Sequence, residues 1–403
     1  MTLLLPLRAQ PFADELRRDP ALAAGIMAPY VFQDVQDTPP PAGYKPFYIS
    51  HFGRHGSRYH IPYLIQRWTP VEMIEARKSG CLTSRGEEAL DCMLEVIALH
   101  DGIDGELSET GAAQHRELAG RLYKRFKSMF AKGGSVSCRS SYLPRCILSM
   151  SAFGTALQKR CTSLDISYSA GQKDFAVLCH PIENLHLSHI YLDSLDAVRR
   201  PLLFDPSRLM KELFVPDCKV KDPQAIAYAM YQLGSVEAGI GRAPKIFGFF
   251  TDEELYKQWQ LYSDWIYGDM ANTDELGFRV LPAAKTLLGD FISLADKAVG
   301  GDGNLADLRF GHDGGLLPLV SLMGVEGFDK PHPITSSAEF WPAHRMIPCA
   351  ANLQLVFYRN RKGGVLVKVL YNELERRLPA LEPVSGPYYD WKEVRQYWSE
   401  LAD

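Results

Sequence analysis

Residues 47–60, FYISHFGRHGSRYH, begin as a buried strand and end as something else. Phe47, Tyr48 and Ile49 are the aromatic and β-branched residues that suit a pleated interior. The apolar run stops at Gly53, and Arg54, His55, Gly56 and Arg58 follow within five residues. Two permanent cations flanking an imidazole on a glycine-rich turn call for an anion. A strand that opens into such a turn is the signature of an α/β sheet, whose ligands sit beyond the carboxyl ends of its strands.

The composition, 46% hydrophobic and 23% charged over 403 residues, is that of a globular protein large enough for two domains or one domain with an insertion. A net charge of −4 excludes a nucleic-acid binder that relies on a global basic field, so an anionic ligand would need a local cationic cleft. No apolar run approaches the ~20 residues of a membrane span. Eight cysteines, without CxxC pairs, argue against a zinc site and are compatible with either disulfides or buried thiols. The start, MTLLLPLRAQ, reads either as the remnant of a secretory signal or as a frayed terminus.

Outward from the RHG turn the pattern alternates. Ser84 with Glu87 predicts a capping box opening a helix with Leu90, Met93, Leu94 and Ile97 on one face. A second helix is expected over about 109–130, with Leu118, Leu122 and Phe126 inward. Ser135–Arg139 reads as a short strand, followed by a helix from Ser151. From 181 to 290 helical patterns dominate, one with Thr251 and Glu254 as a second capping box. A helix near 281–299 and a strand at Leu308–Phe310 restore the α/β character, and 353–373 predicts a hairpin turning at Gly363–Gly364. The expected architecture is α/β: a core of strands and helices (42–180 and 291–403), a helical insertion (181–290) and an N-terminal extension (1–41).

His55 must be neutral to act as a nucleophile, and Arg54 and Arg58 disfavour its charged form. Their planar donor forks match phosphate oxygens. A lone histidine between arginines is more often a surface feature, and its companions decide the matter. Phe310-Gly311-His312-Asp313-Gly314-Gly315 is a second strand running into a glycine turn and then an apolar helix, whose N-terminus favours phosphate. His312 can donate to a phosphoryl oxygen. Asp313 suits a general acid for a departing alkoxide, the plainer alternative being a helix cap. Arg139, at a strand end, fits a third donor fork; Arg145 is the weaker candidate, a solvated helix-start residue being the plainer reading.

RHGSR at 54–58, LSETG at 107–111, CRSSYLPR at 138–145 and GHD at 311–313 together resemble the histidine acid phosphatases, the branch with phytases and multiple inositol polyphosphate phosphatases. MIPCAANLQLVFYR (346–359) and VLVKVLYNE (365–373) look more like the inositol polyphosphate phosphatases. His312-Asp313 departs from the His-Ala-Glu of many members of that subgroup. The resemblance implies a doubly wound, mainly parallel α/β core with the insertion as an α-helical cap beside the cleft, a phosphohistidine intermediate on His55, a phosphoryl group held by Arg54, Arg58, Arg139 and His312, and Asp313 as proton donor. It implies no metal or cofactor, and it favours a periplasmic or secreted location. The expected substrate is an inositol polyphosphate or related small phosphate. A sugar-phosphate or broad acid phosphatase, a mutase, and a non-catalytic phospholigand binder are the alternatives.

Overall fold

The run around Tyr48 does form a strand, and it lies at the centre of the sheet. The computed structural model describes residues 12–179 and 185–403. Among them the sheet has eight strands: β1 (Lys45–Arg54), β2 (Gly134–Ser140), β3 (Leu164–Ser169), β4 (Ala306–Gly311), β5 (Asn352–Arg359), β6 (Val365–Tyr371), β7 (Leu374–Arg376) and β8 (Tyr388–Asp390). Their order is β3-β2-β4-β1-β5-β6-β7, with β8 also pairing β6. β3, β2, β4 and β1 are mutually parallel, and the β5–β6 hairpin adds to β1 antiparallel.

Helices cover both faces, which is why Tyr48, Ile49 and Phe52 are all fully buried. Ile49, Cys138, Leu308 and Phe310 pack against the helices Glu109–Arg125 and Pro144–Arg160. Tyr48, Phe52 and Leu355 face Lys285–Gly300, Asp313–Leu322 and Trp391–Ala402. This is the α/β architecture expected from the alternating pattern.

No sheet strand comes from the described residues 185–300, which run through the helices Leu185–Leu203, Pro223–Gly239 and Asp252–Met270. That helical body is not built from one insertion alone. Pro223–Gly239 is buried along most of its length because Pro20–Met27 and Ser84–Ala98 pack against it. The N-terminal segment is therefore structural: Ala23 and Ala24 are fully buried, and Tyr231 donates to the Ala23 carbonyl at 2.7 Å. Residues 1–10, read as a signal remnant or frayed end, lie outside the described residues.

Thr251 and Glu254 form both bonds of the expected capping box. At the first box the cap falls one residue earlier than expected: Thr83, not Ser84, accepts from the Gly86 N–H. All eight cysteines are free thiols, and no helix among the described residues is long and apolar enough to cross a membrane.

Candidate active site

Strand register brings the motifs together. β1 and β4 pair in parallel with Arg54 opposite Gly311, so the RHG turn and the His312-Asp313 turn leave the sheet side by side. The His55 N–H donates to the Gly311 carbonyl at 2.9 Å, and the His55 carbonyl accepts from Ala350. β2 lies on the other side of β4, with Ser140 opposite Phe310, which sets Ser141 against His312 at 3.1 Å.

The RHG turn is gripped from below by the LSETG segment. Ser57 donates its N–H to Gln114 Oε1 at 2.9 Å, and its carbonyl accepts from both the N–H and the hydroxyl of Ser108, each at 2.9 Å. Backbone meets backbone so closely that a Cβ on Gly56 would lie 2.5 Å from the Gly111 carbonyl oxygen, and one on Gly111 2.2 Å from that of Ser57. This explains both glycines sterically.

His55 is buried, and its Nδ1 lies 2.9 Å from the carbonyl of Gly56. A carbonyl can only accept, so Nδ1 carries the proton and Nε2 keeps its lone pair. Burial first, then the charges of Arg54, Arg58, Arg145 and His312, hold the imidazole well below its ordinary pKa and therefore neutral. His312, with its ring centroid 5.5 Å from that of His55, is pushed down to about 3, by burial and then by Arg145.

Arg54 is fully buried, anchored by Nη1 to the carbonyls of Ile26 (2.5 Å) and Ile347 (2.8 Å). Its Nη2 lies 2.7 Å from Asp313 Oδ2, an ion pair rather than an aligned hydrogen bond, since that nitrogen has no bonded partner. Burial opposes the Asp313 charge, but Arg54, His312 and Arg58 outweigh it and hold the carboxyl below its ordinary value. Arg58 is lowered to about 10 by burial and by Arg145 and Arg54, and stays charged at neutral pH. The Nε atoms of Arg54, Arg58 and Arg145 are buried without partners, an arrangement of donors aimed at an anion the protein does not itself supply.

Solved structures with this chain's fold carry related names. A multiple inositol polyphosphate phosphatase of Bifidobacterium longum, in complex with inositol hexasulfate, superposes with a TM-score of 0.79 over 93% of this chain and 97% of its own, at 18% identity. The chain shares the fold of that phosphatase. A phytase from D. castellii follows at TM-score 0.71 and 14% identity over 99% of this chain and 88% of its own. One from Citrobacter braakii reaches 0.56 and 14% over 89% and 98%. No protein-family model and no curated protein matches the sequence.

Within this fold, one residue expected to hold the phosphoryl group stands elsewhere. Arg139 does not join the cluster. It is in register with Arg309, short of the strand end, and both guanidinium groups point under the helix Lys285–Gly300 to share Asp290. Burial works against that carboxylate, yet Arg309 and Arg139 together hold it below its ordinary pKa. Arg145, the weaker candidate in the sequence because a solvated helix-start residue is the plainer reading there, stands with the cluster instead. It stands in the first turn of Pro144–Arg160, directly after the strand end, and its charge acts on His55, Arg58 and His312. The sequence signal goes no further than Pro144, which marks a helix start and so puts Arg145 in the first turn after the strand.

Proposed function

We propose that this chain is a phosphomonoester hydrolase working through a phosphohistidine. The observation that carries the reading is His55, locked by Gly56 into the tautomer with a free Nε2 and ringed by Arg54, Arg58 and Arg145. Nε2 attacks phosphorus, the bond to the ester oxygen breaks, and Asp313 gives that oxygen its proton. Water then attacks the phosphohistidine, Asp313 takes back a proton, and phosphate leaves as the P–N bond breaks. Three guanidinium groups absorb the charge on the equatorial oxygens, the term on which phosphoryl transfer most depends. In this reading no metal ion takes part.

The expected result is release of phosphate from p-nitrophenyl phosphate at acidic pH, undiminished in EDTA. His55→Ala should lower turnover by at least about 10³-fold. A chain that binds phosphate but hydrolyses nothing would be the non-catalytic binder instead.

Inositol polyphosphates are the substrate class supported by the neighbours named for them. A sugar-phosphate or broad acid phosphatase is favoured by one observation: the cavity beyond Arg58 has more carboxylates than guanidinium groups on its walls. Export to the periplasm or beyond belongs to this reading by resemblance, and cell fractionation tests it.

A further inference from the structure

Arg58 and Asp313 line a cavity of about 570 Å³ whose other walls come from the helical body and from His60, Ile61, Arg67 and Trp68, just past the RHG turn. With the hydrolase reading above, this is where the leaving group lies. Its charges can be accounted for one by one. Asp196 and Arg200 neutralise each other through two 2.8 Å bonds, and Arg200 is further held by Gln258 at 2.7 Å. Asp222 caps its own helix through the Ala225 N–H at 2.9 Å. The remaining carboxylates are Asp193, which accepts from Trp265 Nε1 at 3.0 Å, and Asp269, bonded to His189 Nε2 at 2.9 Å.

The cations left for a leaving group are Arg67 and His189, the second already engaged by Asp269. Each phosphate on a ligand brings about −1.5 to −2 charges near neutrality. With Asp269 counted against its partner His189, a substrate with several further phosphates would meet the carboxylates of Asp193 and Asp222 and one guanidinium, Arg67, without a partner among the described residues, the wrong balance for it. The same wall has the rings of Tyr262 and of Trp265, the latter bonded to Asp193 and packed on one side by His189, while the face of Tyr228 already carries the Arg200 guanidinium at 4.5 Å. Aromatic faces next to carboxylates are what an organic cation seeks. An independent sign that a ligand belongs here is Gln232, 3% exposed, whose Nε2 has no partner and which lines the same space.

We propose that the chamber receives a protonated amine, so that the preferred substrate carries one phosphate and an ammonium group, as in an amino-alcohol or amino-sugar phosphate. Phosphate binds at Arg54, Arg58 and Arg145, the ammonium group lies against Asp193 and the aromatic wall, and Gln232 donates to an oxygen of the carbon frame.

Two matched pairs test this: O-phosphoethanolamine against propyl phosphate, and glucosamine 6-phosphate against glucose 6-phosphate, with phytate alongside. At least one amine should exceed its neutral partner about 10-fold in kcat/KM, and which pair does so tells amino alcohol from amino sugar. In Asp193→Asn that ratio should fall towards one. Ratios near one for both pairs in the native chain, or phytate as the best substrate, would overturn the assignment while leaving the hydrolase reading intact. Calorimetry on His55→Ala reads the chamber without turnover. Tighter binding of the amine partner supports the assignment even if no ester is hydrolysed, and equal affinities overturn it.

Discussion

Asp313 is an anion as it stands, because Arg54 lies 2.7 Å from it and outweighs the effect of burial together with His312 and Arg58. A general acid needs a proton. The phosphoryl dianion provides for this: once its oxygens draw on Arg54 and Arg58, the carboxylate loses its counter-charge and gains a like-charged neighbour, and both changes raise its pKa. Protonation matters most when the leaving alkoxide is basic. Asp313→Asn should therefore cost alkyl phosphates about 10²-fold or more in kcat beyond its cost to p-nitrophenyl phosphate, and equal losses would remove Asp313 from the acid role. The two arginines of CRSSYLPR separate just as cleanly. Arg145→Ala should lower kcat/KM by about 10²- to 10³-fold, as expected for one preorganised donor to the transition state, with little change in folding. Arg139→Ala should instead lower stability by about 1–2 kcal/mol, since Asp290 keeps Arg309 as a partner. Steady-state kinetics and urea unfolding of the pair decide which arginine serves the site.

At the scale of elements, the turn after β1 depends on a neighbour 50 residues away. Gly111→Ala would drive a methyl group into the Ser57 carbonyl, where only 2.2 Å is available. The turn has to shift, so kcat/KM should fall at least about tenfold even if the fold survives a loss of about 1–3 kcal/mol. A crystal structure of the variant with an unmoved His55 would contradict this. The same element shows what a sequence can and cannot disclose. β1 and the β5–β6 hairpin were legible because they are largely apolar runs that end in glycine or charge, β4 because Leu308 and Phe310 lead straight into a glycine turn, and the helices of 185–300 because their caps and periodicity are explicit. β3 escaped notice, since LDISYS is half exposed at the sheet edge and has no apolar run. His55, Arg54, Arg58, His312 and Asp313 could be found from motifs because the residues just past a strand end project into the cleft. Arg139 and Arg145 could not be ranked that way. Their roles depend on which strand lies beside β2 and in what register, and register is a property of the sheet, not of the segment.

For the molecule as a whole, chemistry and stability pull in opposite directions on the pH scale. Protonation of the leaving group favours acid. Beneath the site, however, His51 and His115 pack against Phe153 and Phe310, and burial pushes each down to about 3. In the unfolded chain both titrate near 6.5. A group whose folded pKa is depressed contributes stability that is fully present above the unfolded value and is lost as pH falls towards the folded one. At pH 5 each histidine then costs about 2 kcal/mol relative to neutrality. His344, lowered to about 4 by burial, acts in the same sense. Asp264 opposes them: burial raises it to about 6 against Arg199, so it contributes stability in acid that is lost as pH rises through that value, about 1.4 kcal/mol at pH 5. The histidines prevail. Urea unfolding at pH 5 should give a stability lower than at pH 7 by at least about 3 kcal/mol. His115→Phe, which keeps the ring contacts and removes one titration, should reduce that difference by about 2 kcal/mol whatever it does to stability at pH 7. If the variant keeps the full pH slope, the buried histidine is not what limits the protein in acid. Mildly acidic solution, where a bound phosphoryl dianion lets Asp313 take up its proton while His51 and His115 stay neutral, is then the window in which this chain should work best.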